Sequence, residues 1–183
     1  MQQCYTIDIE KIKIYYTCNG GTDLFKIGDK VVYPRQGIGT IVEIAEKDFT
    51  GEKKSYYIIK MYNEDMEVMI PVDKIENFNI RFISDEEELQ DTLGILNTTL
   101  EDSSLDMDTK ERVKVNTGKI NSGSLIQNAE VVSDLSRIKK EKTLNASEKQ
   151  MLQHAKRNLI DEIINVKGIS EKEAESLIDS KIL

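Results

Sequence analysis

The side chains with the clearest capacity for chemistry in this 183-residue chain are cations gathered in one stretch. Residues 110–157 hold eleven Lys or Arg against five Asp or Glu, whereas residues 84–109 hold nine acids and no base. The net charge of −8 argues against a protein that coats nucleic acid indiscriminately. A basic block can still make a local phosphate-facing patch, because screening confines Coulomb attraction to about 8 Å at physiological salt. Lys110, Arg112 and Lys114 open the block, and Arg137, Lys139, Lys140, Lys142, Lys149, Lys156 and Arg157 follow. Spacings of two and seven do not put all of these on one helix face, so only a folded cluster would qualify. The bland alternative is a set of ordinary solvated helix faces.

Other chemistry is poorly represented. Gln36-Gly37-Ile38-Gly39-Thr40 has the glycines of a phosphate loop, but β-branched residues follow where a helix should present its amides. A tight turn or bulge between strands is the better reading. One histidine, His154, and two distant cysteines, Cys4 and Cys18, supply neither a nucleophile system nor a metal-ligand set. The cysteines read as unpaired thiols of a reducing compartment, with a disulfide between them as the alternative. The acids at 85–88 suit a solvated helix start better than a catalytic pair. The expectation is a protein that is not an enzyme, with no cofactor and no small-molecule substrate. No apolar run reaches the roughly 20 residues of a membrane span, and no secretion signal opens the chain, so a cytoplasmic protein with no membrane partner is expected.

The elements that must position these residues change in texture along the chain. Residues 1–23 read as a strand or tail ending in Asn19-Gly20-Gly21. Alternatively they precede the natural start, if Gly20-Gly21 is encoded by the ribosome-binding sequence GGAGGT and Leu24 by a TTG start codon. Residues 24–83 carry short strands and tight turns, predicting a small SH3-like or Tudor-like β-barrel with core residues Val31, Val32, Ile41, Val42, Tyr57, Ile59, Val68 and Ile70. Residues 84–107 are an acidic helix, with Ser84 and Glu87 as a capping box, and a linker over 97–106. Residues 108–183 predict an all-α domain. Its helices fall at about 108–121, 124–140 (stripe Leu125, Ile126, Ala129, Val132, Leu135, Ile138) and 146–166 (box Asn145/Glu148, stop Gly168), with a last one from Ser170 capped by Glu173. The fold class is therefore α+β, with a small β domain followed by helices.

One set of motifs says more. Phe25-Lys26-Ile27-Gly28-Asp29-Lys30-Val31-Val32-Tyr33-Pro34, with Gly37-Ile38-Gly39-Thr40-Ile41 and Val68-Met69-Ile70-Pro71-Val72, resembles the RNA polymerase-interacting domain of the CarD/CdnL family. The same module resembles the polymerase-binding part of transcription-repair coupling factors. Ala129 to Leu135 and Leu144 to Leu152 resemble the family's C-terminal DNA-contacting domain, so the resemblance covers about residues 24–166. It implies a bacterial initiation factor that docks on a lobe of the polymerase β subunit, contacts promoter DNA near the upstream edge of the transcription bubble, and stabilises the open complex. The polymerase contact is expected on Lys47, Glu67, Val68, Met69, Ile70 and Pro71, with Val68 and Ile70 also suited to the core and Glu67 and Met69 pointing outward. Met69 stands where many relatives carry Arg.

For DNA, the resemblance implies Thr109, Lys110, Arg112, Lys114, Arg137, Lys139, Lys140, Lys149, Lys156 and Arg157. Thr109 stands where family members often place a wedging Trp, and Glu111 where a base is frequent; Thr cannot supply an aromatic's stacking energy. Two other readings stand beside this one: an adaptor that binds polymerase without touching DNA, and a module regulating a repair helicase. The spatial grouping of Lys110, Arg112, Lys114 and Lys149 discriminates DNA contact, if they converge on one surface, from the adaptor, if they scatter.

Overall fold

The computed structural model describes residues 24–49, 51–62, 66–97 and 107–182, together with the backbone of a separate two-stranded ladder, β1 (Thr6–Ile9) and β2 (Ile12–Tyr15). Cys4, Cys18, the Gly20-Gly21 reading and most of the expected linker lie outside the described residues.

The β-rich stretch forms β3 (Lys30–Tyr33), β4 (Gly37–Asp48), β5 (Lys53–Met61), β6 (Glu67–Pro71) and β7 (Arg81–Phe82). They make one antiparallel sheet in the order β6-β5-β4-β3-β7. Gly37 opens β4 at the turn from β3 and Gly39 lies within β4, so these glycines serve the strands. Gly37 has φ 96°, and a Cβ on Gly39 would sit 2.7 Å from Ile59 Cγ2 and 2.8 Å from the Lys60 carbonyl oxygen. Alternation then sorts the side chains. Val31, Ile41, Tyr57, Ile59 and Ile70 face one way and, with Phe25 and Ile75 of the 3-10 segment Val72–Phe78, form the first core. The Phe25 backbone N–H donates to the Tyr57 hydroxyl, giving that buried oxygen a partner.

Three expected core residues differ. The register slips between Ile41 and Glu43, so Val42 is the extra residue of a bulge and is exposed. Val32 is buried, but against the opposite sheet face: it pairs with Ile38 and Arg81, which belong to the other parity. Val68 is only half-buried, since β6 is an edge.

The helices are α1 (Glu86–Ile95), α2 (Thr109–Asn121), α3 (Leu125–Glu141), α4 (Ala146–Lys167) and α5 (Glu171–Lys181). Local signals set most ends: both Asn145/Glu148 and Ser170/Glu173 form reciprocal capping boxes, and Gly168 stops α4 at φ 66°. The cap of α1 is one residue later than expected. Asp85 accepts from the Glu88 N–H, while Ser84 is buried and its own N–H donates to Glu162. A tertiary acceptor outcompetes the local box. The second core joins Leu89 and Leu93 of α1 to Leu135, Leu159 and Ile178, so α5 completes the bundle. In α3 the stripe is rotated slightly: Val131 is fully buried and Ile126 is exposed.

Gly39→Ala tests the close approach of β4 and β5. Because the new methyl would meet backbone as well as side chain, a loss of about 1–3 kcal/mol in urea denaturation is expected; an unchanged midpoint would show that the strands separate freely.

Candidate functional site

Register decides which side chains share a surface. The rows Lys47–Lys54, Ala45–Tyr56–Pro71, Glu43–Ile58–Met69 and Thr40–Lys60–Glu67 all lie on the sheet face opposite the first core. Lys47, Glu67, Met69 and Pro71 therefore share one face, while Val68 and Ile70 turn inward, and Ile70 is fully buried. Met69 is 47% exposed at the centre of this patch, and Phe49, 62% exposed, packs edge-to-face on Tyr56 at 5.5 Å. The patch thus has an apolar middle with Lys47 and Glu67 at its rim, beside an edge strand. Tyr56, Ile58 and Phe49 were not among the expected contact residues. Strand parity with Met69 could have found the first two; Phe49 lies just past β4 and follows from no periodicity.

The same face does not stay open across the sheet. On its β3 and β7 side Val32 and Ile38 are buried, and Arg81 reaches away to the helices. Its guanidinium donates to both carboxylate oxygens of Glu162 on α4, at 2.7 and 2.8 Å, and to the Gly123 carbonyl at 2.7 Å. Glu162 is 2% exposed and also accepts from the Ser84 N–H at 2.9 Å. Lys30 donates to Asn165 and Asn79 to the Asn121 carbonyl. These contacts make one unit of the sheet and the helices.

The cations divide into those used internally and those left at the surface. Arg112, expected to face phosphate, is buried. It donates to Glu148 Oε1 from Nε at 2.8 Å and from Nη2 at 2.6 Å, and to the Met107 carbonyl at 2.9 Å. The reason lies in α2, which turns its Arg112–Asn116–Ile120 stripe inward, so a cation at that phase needs a buried anion. Lys156 pairs with Asp179, and Arg157 with Asp161 and Glu171. Arg137 is half-buried. Lys110, Lys114, Lys139, Lys140, Lys142 and Lys149 are exposed, as is Thr109. The Arg112–Glu148 pair joins the first turns of α2 and α4, and the short 142–145 loop brings the end of α3 to the same place. Those six lysines consequently belong to one end of the helical domain. Arg112 is the latch beneath them.

Burial pushes the Glu148 carboxyl upward, but the Asn145 N–H, the Arg112 guanidinium and the charge of Lys142 outweigh it and hold its pKa below the ordinary 4.5.

A small β domain with one half-open face, bonded to a helical bundle with a lysine-rich end, defines a two-module protein with two separate surfaces. Two family models match it in that order: the CarD-like/TRCF RID domain over residues 25–84, and the CarD C-terminal domain over residues 92–179. YdeB of Bacillus subtilis (strain 168), named as a candidate transcription factor, is 47% identical over 153 residues, spanning 84% of this chain and 99% of YdeB. The chain belongs to the CarD family of transcription factors, and its β domain is of the RNA polymerase-interacting type. Among the described residues no helix is long and apolar enough to cross a membrane.

Glu148→Gln takes the Glu148 charge away from the buried Arg112 guanidinium, so a loss of about 3–5 kcal/mol at neutral pH is expected by urea denaturation. A carboxylate with a depressed folded-state pKa stabilises above its unfolded value and loses that contribution as pH falls through the folded one. The gap between wild type and Glu148→Gln should therefore narrow below about pH 4.5; a gap independent of pH would assign the loss to packing alone.

Proposed function

We propose that this protein docks the open half of its sheet face on the RNA polymerase β subunit and uses the lysine-rich end of its helical domain to stabilise the promoter open complex. The observation that carries the reading is the grouping of Lys47, Glu67, Met69 and Pro71 on one face beside the edge strand β6. An edge can extend a partner's sheet through backbone hydrogen bonds, and the side chains beside it then choose the partner. Met69, with Ile58, Tyr56 and Phe49 around it, makes the contact mainly apolar where an Arg would make it ionic.

The DNA contact in this reading is electrostatic. Lys110 and Lys149 stand on the first turns of α2 and α4, with Lys114 one turn further along α2, and the aligned N–H groups of both helices add partial positive charge at that end. Such contacts position a duplex without reading its sequence. Thr109 brings no ring to wedge between bases, so stabilisation rests on the phosphates. The adaptor reading without DNA contact draws support from Arg112, Lys156 and Arg157, whose charges are engaged internally.

The test is binding of the purified protein to the isolated β lobe, followed by the lifetime of the open complex. Met69→Glu should weaken lobe binding at least tenfold, about 1.4 kcal/mol. Lys110→Glu/Lys114→Glu/Lys149→Glu should bind the lobe normally yet shorten the open-complex lifetime and flatten its salt dependence. An unaltered lifetime would favour the adaptor, and failure of the wild type to bind the lobe would remove the polymerase reading.

A further inference from the structure

We propose that the cleft between the two domains is a binding site for an unstacked nucleotide, with the base inside the cleft and its phosphate at Arg35 on the rim. The cleft has a volume of about 770 Å³ and is walled by the β3–β4 turn, the 77–79 segment, α2 and α4. Sites for small molecules commonly have this size and this place between domains. The lysine surface and the sheet face described above leave the cleft unused.

Its lining specifies the ligand. Tyr33 and Phe78 meet edge-to-face at 6.2 Å on the β side, with Met151 of α4 also lining the cleft, so part of the wall is aromatic and apolar. Amide side chains come from every wall: Gln36, Asn77 and Asn79 from the sheet side, Asn121 from α2 and Gln150 from α4. Primary amides carry donors and acceptors together, which is what the mixed edge of a nucleobase requires. Among the described residues no Asp or Glu lines the cleft, although the chain has 33 acids against 25 Lys and Arg. That exclusion disfavours a metal ion or a basic peptide and suits an anion.

Arg35 supplies the countercharge. Its backbone is in the left-handed region at φ 69°, uncommon for a residue with a side chain, and its carbonyl oxygen lies 3.2 Å from His154 Nε2. A carbonyl can only accept, so Nε2 carries a proton there. The bond from α4 holds the Arg35 backbone while its side chain remains exposed, with no ion-pair partner among the described residues. Arg is the side chain best matched to a phosphate in geometry and permanent charge.

A nucleotide of this kind can be free in solution or belong to an unpaired strand. Val113 and Thr117 of α2 line the cleft, and Lys110 and Lys114 stand on the same helix, so a strand lying along those lysines would pass the opening. The inference needs no polymerase and survives failure of the docking reading.

The experiment titrates the isotopically labelled full chain, without polymerase, with guanosine and adenosine 5′-monophosphate, with a short mixed-sequence single strand, and with the matching duplex. The His154 ring and the side-chain amides of Asn79 and Gln150 should shift with the mononucleotides or the single strand. Arg35→Glu, at an exposed position, should keep the spectrum of the folded protein and weaken that binding at least tenfold. Gln150→Leu should weaken it with the cation intact. Shifts from the single strand alone would identify the ligand as part of an unpaired strand; shifts from the mononucleotides would identify a free nucleotide. Cleft resonances that stay fixed with both, or equal affinity in wild type and Arg35→Glu, would overturn the proposal.

Discussion

The carboxylate of Glu162 is the constraint on which the arrangement of this molecule turns. It is almost wholly removed from water, where a charge is costly unless paired, and its hydrogen bonds come from Arg81 and Ser84 on the far side of a domain boundary. Replacing Arg81 while the domains stay packed would strand it, and the penalty for leaving one partner of a buried pair uncompensated is about 3–5 kcal/mol. Arg81 extends the same bond set to the Gly123 carbonyl. One guanidinium therefore fixes α4 and the α2–α3 turn to the end of the sheet, and with them the direction in which the lysine-rich end points.

That joint also partitions the sheet. A single face carries Val32 and Ile38 at one side and Ile58 and Met69 at the other. Beside the Arg81–Glu162 joint the first pair is buried; at the β6 edge Met69 remains exposed. A face of this kind left wholly open would invite pairing with any stray strand, and covering half of it leaves one edge for a chosen partner. The patch around Met69 and the helical domain are held in one rigid arrangement by this joint, so the position of the first fixes where the second lies.

Charge is deployed on the same logic. Arg112, Lys156 and Arg157 come from the basic block but pair with anions of the same chain, Arg112 with buried Glu148 and the other two, themselves nearer the surface, with Asp179, Asp161 and Glu171. The first of these pairs latches the starts of α2 and α4 together, so that lysines far apart in sequence share one end of the bundle. A buried pair adds little stability by itself. Its effect is to hold in register the helices that carry the exposed charges.

Most of the secondary structure was legible in the residues, because its signals are local. The Asn145/Glu148 and Ser170/Glu173 boxes, the Gly168 stop and the apolar stripes of α3 and α4 act within a few positions along the chain, and the motifs from Phe25 to Val72 carried the family. Parity along β6 likewise told Met69 and Glu67 from Val68 and Ile70. What failed to be legible depended on atoms distant in sequence. The bulge that expels Val42 is set by pairing with β5, the cap of α1 moved because Glu162 takes the Ser84 N–H, and Arg112 reads as one more surface cation until α4 brings Glu148 beneath it. Sequence determined which elements form and which charges exist, since propensity and periodicity are short-range; only the tertiary structure decided which charges meet water and which half of the sheet stays open, because burial is a property of packing across the whole chain.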